Sequence, residues 1–329
     1  MRARQRASVL AIVALSVLAL TATAAQATTI TVGSVLPPGS TPTAFGQVQT
    51  FFNTALPEKG ANLSSPATGA IIRWRVQDVE GGPFYLRVLR PTGSGAYTAV
   101  GKSSAATPVG GGLQTFTTNL PVHAGDLIGV DPSNAGDKIG VAAVPGANFG
   151  FIFPPPFDGA TVAPSGTSSG NEVELSAEVQ PAPAITEVAP GHGSVKGGTS
   201  VTVTGTNLTA ASAVKFGTAA ATDFKVESDT QITATAPASK VVGPVDVSVT
   251  TLAGTSAKVR ADQFVYRGCK VPKLKGKTLK KAKKALAGAE CKLGKVKHAS
   301  GKPGKVLKQH PKPGKVLAPK AKVNVTVGS

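Results

Sequence analysis

Gly197-Gly198-Thr199-Ser200-Val201-Thr202-Val203-Thr204-Gly205-Thr206-Asn207-Leu208 puts two valines on one side of an extended chain and threonines on the other, with glycine turns at both ends. A period of two between turn signals marks a half-buried strand and not a helix. The pattern continues downstream. Val214-Lys215-Phe216-Gly217 follows, then Asp229 to Pro237, then Val245, Val247 and Val249, and Phe264-Val265-Tyr266 closes the series. Seven short strands in about 85 residues predict an immunoglobulin-like sandwich, here assigned to 181–266.

Upstream, the same period appears with longer spacing. Ile72, Trp74 and Val76 alternate with Arg73, Arg75 and Gln77, and Val173, Leu175, Ala177 and Val179 alternate with Glu172, Glu174, Ser176 and Glu178. On this reading the glutamates face water. Further runs lie at Phe84–Leu89, Leu127–Val130 and Ile139–Val144, separated by turns such as Gly110-Gly111-Gly112. About eight strands predict an antiparallel β-sandwich or jelly roll over 28–180. With 38 glycines and 25 prolines in 329 residues, the composition also favours short strands joined by turns.

Charge changes abruptly at residue 267. From there to Ser329, 18 lysines and Arg267 face one acidic residue, Glu290, a balance of +18 that equals the formal charge of the whole chain. Both cysteines, Cys269 and Cys291, lie in this stretch. Thr278 is placed to cap a helix in which Leu279, Ala282, Leu286 and Ala289 share one face. Lys280, Lys281, Lys283 and Lys284 take its solvated side. A strand over Lys292–Ala299, a turn at Gln309-His310-Pro311-Lys312-Pro313-Gly314 and a last strand with Val323, Val325 and Val327 complete a small α+β unit, 267–329. A mostly β chain in three units is the expected fold class.

The N-terminus predicts export. Arg2, Arg4 and Arg6 precede an apolar run, Ala7–Leu20, and Ala25-Gln26-Ala27 gives the small-x-small pattern of a cleavage site. The run is shorter than the roughly 20 residues that span a bilayer. Residues 1–27 are therefore read as a signal peptide, with a mature start near Thr28 and no integral membrane segment after cleavage. No cysteine follows for lipid attachment and no sortase-type Leu-Pro-x-Thr-Gly is found, so retention at the surface is expected to be non-covalent. In an exported unit of some 60 residues, Cys269 and Cys291 are expected to form a disulfide worth roughly 3 kcal/mol.

Two resemblances rest on these residues. The run Gly-Gly-Thr-x-Val-Thr-Val-x-Gly-x-Asn-Leu at 197–208, within strands that fill 183–266, resembles the IPT/TIG domain. That resemblance implies an immunoglobulin-like spacer or adhesive module without shared catalytic residues. Val271-Pro272-Lys273-Leu274-Lys275-Gly276, the helix start Thr278-Leu279 with Ala282, and the Gln-x-Pro-x-Pro-Gly turn from Gln309 together resemble a PASTA domain over 269–329. This resemblance implies association with peptidoglycan, although the chain has one such unit and neither kinase nor transpeptidase. The first unit is similar to domains of exported bacterial proteins to which no activity attaches.

Signals for chemistry are weak. Gly166-Thr167-Ser168-Ser169-Gly170 fits the G-x-S-x-G spacing but lies in a Ser/Gly-rich loop before a strand, where a nucleophile elbow needs strand, turn and helix. Gly101-Lys102-Ser103 resembles the end of a phosphate loop, yet the earlier glycine is replaced by Ala96. Asp126, Asp131 and Asp137 are spaced too irregularly for a calcium loop, and His123, His192, His298 and His310 form no ligand pair. No enzyme activity, cofactor or metal is expected. Trp74 is assigned to the core. Phe149, Phe151, Phe153 and Phe157 line either a carbohydrate-binding face or a packed strand.

The lysine excess exceeds what solubility needs, and a polycation gains affinity for polyanions by releasing counterions. Lysine attracts diffusely, bidentate arginine is scarce, no aromatics are interleaved for base stacking, and export removes intracellular nucleic acid as a partner. The expected partners are peptidoglycan or anionic wall polymers, met by Lys280, Lys281, Lys283, Lys284, Lys308, Lys312 and Lys315, with carbohydrate as a candidate ligand of 28–180. The expected protein is extracellular, secreted or non-covalently wall-associated, and acts as a non-catalytic binding or structural module. The alternatives are an adhesin whose first sandwich binds glycans, and a hydrolase of unrecognised type.

Overall fold

The computed structural model describes residues 28–329, so the signal-peptide assignment at 1–27 lies outside the described residues. The architecture is mostly β, with one α-helix, Leu279–Gly288, among the described residues. Apolar side chains gather into separate cores along the chain.

Residues 30–181 form two facing antiparallel sheets. The smaller runs in the order Ile30–Gly33, Leu175–Pro181, Gly69–Val76, Gln114–Val122. The larger is built around Tyr97–Lys102, Phe84–Pro91, Leu127–Pro132, Thr50–Ala55, the 15-residue Lys138–Ile152 and Gly166–Val173. Phe51, Ile71, Trp74, Val76, Leu86, Val88 and Leu175 fill the space between them. Twelve strands replace the eight expected, because short segments such as Thr41–Ala44 and Thr161–Val162 pair along the sheet edges.

Two local expectations are corrected here. Ile71, not Ile72, shares the core with Trp74: against the neighbouring strand Leu175–Pro181, Arg73 pairs with Glu178 and Ile71 with Val179, so Ile72 is the extra residue of a bulge and the alternation shifts. Glu172 and Glu174 do not face water. The chain leaves the large sheet after Val173 and enters the small one at Leu175, so both faces of this crossing are covered and both glutamates are fully buried. Ser34 Oγ donates to Glu172 Oε1 at 2.6 Å, while both carboxyl oxygens of Glu174 lack a hydrogen-bond partner.

Residues 184–267 form a second pair of sheets, one of Ala184–Ala189, Ser200–Thr206, Gln231–Thr235 and Asp223–Ser228, the other built on Gln263–Arg267, Gly243–Thr251 and Ala213–Phe216. The seven expected strands are joined by three short ones, His192–Ser194, Ala219–Ala220 and Gly254–Thr255. Val201, Val203, Ile232, Val247, Val249 and Phe264 are buried between the sheets, as their alternation requires. Gly197 has φ +77°, and a Cβ there would meet the backbone N of Ala238 at 2.6 Å, so the turn that opens the quoted run needs glycine.

In residues 269–329 the helix packs on a three-stranded sheet of order Lys292–Pro303, Lys322–Gly328, Val306–His310. Thr278 caps the helix, its Oγ1 accepting from the Lys281 N–H at 3.3 Å. Ala282 and Leu286 bury against Val306, Val323, Val325 and Val327. Cys269 and Cys291 form a disulfide with Cα atoms 4.8 Å apart, and both are buried.

Candidate functional site

The valine face of the three-stranded sheet is covered by the helix, so the residues alternating with those valines face outward. Lys297 and Lys308 flank Thr326 on the central strand, one from each neighbour, and His310 pairs with Asn324 in the same way. Asn324 Oδ1 accepts from the Lys295 N–H at 2.8 Å, across a bulge between Leu293 and Val296. The bulge depends on Gly294, where a Cβ would meet Asn324 Oδ1 at 2.1 Å. The result is a shelf of Lys295, Lys297, Lys308, His310, Asn324 and Thr326 around a shallow recess of about 500 Å3. A second recess of about 460 Å3, lined by Lys275, Lys302 and Lys305, adjoins it and shares Lys308.

Gln309 points the other way. Its Oε1 accepts from the Leu274 N–H at 2.7 Å, and its Nε2 donates to Pro272 O at 2.9 Å. This residue therefore fastens the shelf strand to the segment before the helix. Among the described residues no ion pair involves any lysine of 267–329. The contrast with the first unit is sharp, since Arg73, Arg75, Arg87, Arg90 and Lys138 are all paired there.

The seven lysines singled out from sequence do not form one group. Lys308 lies at the centre of the shelf, whereas Lys280, Lys281, Lys283 and Lys284 are exposed on the helix, which packs on the opposite side of the sheet. Lys312 lies in the turn and Lys315 just after it, and neither lines a recess. Lys295 and Lys297 were missed, although their alternation with Val296 signals an outward face.

The weak chemical motifs resolve into packing. Ser168 sits within the strand Gly166–Val173, opposite Phe149. Lys102 Nζ lies 4.5 Å above the Tyr85 ring, and Ser103 Oγ accepts from the Leu86 N–H at 2.9 Å. Asp126 pairs with Arg90 and Asp131 with Arg87. Asp137 closes a turn. Burial works to raise its pKa, but N–H groups of Gly82, Asn134 and Ser133 outweigh that and hold the carboxyl below its usual range. Among the described residues no three His, Cys, Asp or Glu side chains are placed to hold a metal, and no helix is long and apolar enough to cross a membrane.

Comparison with known families defines two modules. The chain carries an IPT/TIG domain at residues 183–266 and a PASTA domain at residues 270–329. No curated protein matches the chain. Among solved structures, the full extracellular region of plexin A4 is similar at 13% identity and a TM-score of 0.24, over 66% of this chain and 37% of that one.

Proposed function

We propose that this is an exported, non-catalytic modular protein that docks on the bacterial cell wall through the lysine shelf of its C-terminal unit. Three folded units, 28–180, 181–266 and 267–329, divide the work: a sandwich with its own ligand, an immunoglobulin-like spacer, and a basic anchor closed by Cys269–Cys291. The observation that carries the reading is the row Lys297–Thr326–Lys308, in which the two outer strands present cations with no carboxylate partner on either side of the central threonine. Lysines left unpaired on a flat, recessed face supply diffuse attraction for a polymer of phosphate or carboxylate groups. PASTA domains bind peptidoglycan-like ligands, which supports the wall as the surface where such a face acts. Thr326 and Asn324 add neutral hydrogen-bonding groups among the cations, suited to sugar and peptide parts of the same polymer.

Deleting 267–329 tests the proposal in cells. The truncated protein should move from the wall fraction to the medium. A truncated protein that stays with the wall contradicts the docking role.

A further inference from the structure

The outer face of the large sheet in the first unit carries a cleft of about 600 Å3. Its floor is a buried ion pair. Arg87 Nη2 and Nε donate to Asp131 Oδ2 at 2.6 and 3.0 Å, and Thr50 Oγ1 donates to Asp131 Oδ1 at 2.6 Å. One wall is the Tyr85 ring with the Lys102 ammonium above it. The other is Pro155-Pro156-Phe157-Asp158, the second part of a loop that begins at Phe153, and Arg87 Nη1 holds Asp158 Oδ1 at 2.6 Å.

That loop is fixed before any ligand arrives. Phe153 N–H donates to Ser165 Oγ at 2.9 Å, and Gly159 N–H donates to Ala99 O at 2.7 Å, with three prolines between. Yet Phe157 is 79% exposed and Phe153 50%, and the side chain of Asp158 is 54% exposed despite its ion pair. Phe157 also borders a neighbouring recess of about 390 Å3, so its ring forms a ridge between two hollows. A rigid loop that holds an aromatic ring out beside a polar cleft offers a ligand a large apolar face at little cost in ordering.

The chemistry of the cleft selects the ligand class. Arg87 and Lys102 balance Asp131 and Asp158, so the site has no net charge to attract an ion. The polar floor and the free faces of Asp158, Lys102 and Ser133 disfavour a purely apolar guest. Aromatic faces for stacking, with acceptors and donors at the edge, match the C–H faces and hydroxyls of sugar rings. We infer that this cleft binds a neutral oligosaccharide that straddles the Phe157 ridge, with rings on either side of it. The site is separate from the lysine shelf and stands whether or not that shelf docks on the wall.

The test is an array of neutral oligosaccharides, chitotetraose, cellotetraose and maltotetraose among them, with tetragalacturonate as the acidic control. Full-length protein is applied, and each hit is titrated by calorimetry. Phe157→Ala should weaken binding of a neutral glycan at least tenfold, and Asp158→Asn should weaken it as well. Combined Lys295→Glu, Lys297→Glu and Lys308→Glu changes should leave that binding intact. Because Phe157 and Asp158 are solvent-exposed, circular dichroism should show both variants folded. Binding to no neutral glycan, to tetragalacturonate alone, or with unchanged affinity in Phe157→Ala overturns the inference.

Discussion

Glu172 and Glu174 show how a single position can set the pH response of the first unit. Burial raises the carboxyl of Glu172 to about 7, with the neighbouring Glu58 carboxyl adding to the effect against the opposing Ser34 hydrogen bond. Burial raises Glu174 to about 8, helped by the charges of Glu172, Glu58 and Asp78. Both start from 4.5 when exposed, so the folded chain binds more protons than the unfolded one between these values. Their contribution to stability is complete below about 4.5, shrinks as pH rises, and is lost as pH passes 7 to 8. Tm should fall from pH 5 to pH 9, and Glu174→Gln with Glu172→Gln should flatten that decline. A profile unchanged by both substitutions would contradict the buried, protonated state. Arg87 presents the opposite case, a buried charge with partners. Asp131→Ala leaves its guanidinium with Asp158 alone and should cost about 3 kcal/mol in denaturant unfolding, the low end for breaking a buried pair, because Nη1 keeps its partner. Neither burial was readable from the sequence. Alternation placed the glutamates in water, and nothing local reveals that the strand crosses between sheets there.

Elements were legible to the degree that one repeating pattern governed them. The strand Ser200–Thr206 was readable because Val201 and Val203 face a core while Thr202 and Thr204 do not, and no bulge interrupts its pairing with Gln231–Thr235. The strand Gly69–Val76 was readable as a strand, but its inward residue before the bulge was not. The helix at Leu279–Gly288 follows from spacing and its cap. Thr278→Ala should therefore lower the stability of the C-terminal unit by about 0.5–1 kcal/mol in chemical denaturation. Two of the three shelf lysines, Lys295 and Lys297, were hidden for a related reason. Lysines near one another in sequence, such as Lys280 to Lys284, drew the eye to the helix, whereas the shelf joins three strands that only tertiary pairing brings together. The disulfide spans that helix and ties its end to the first strand. Its removal by paired Cys269→Ala and Cys291→Ala changes should cost roughly 3 kcal/mol, and an unchanged denaturation midpoint would show the staple idle.

At the scale of the whole molecule, the chain separates its electrostatics from its packing. The arginines of the first unit are held in ion pairs such as Arg90–Asp126 and Arg75–Glu178, while the C-terminal unit holds its cations unpaired. An immunoglobulin-like module stands between them in sequence. Unpaired lysines at this density repel one another, which costs stability that solubility alone does not require, and the disulfide offsets part of that cost. Such a division suits a protein that anchors by one end and presents a different surface at the other. Wall docking by this protein rests on the anchor. Its most direct test is sedimentation of the full-length protein with isolated cell walls, before and after removal of anionic polymers, across a salt series, beside the combined Lys295→Glu, Lys297→Glu and Lys308→Glu variant. The account predicts that the wild type sediments with walls, that salt weakens this steeply, and that the variant binds at least tenfold more weakly. Equal binding by wild type and variant, or no sedimentation of the wild type at low salt, would contradict it.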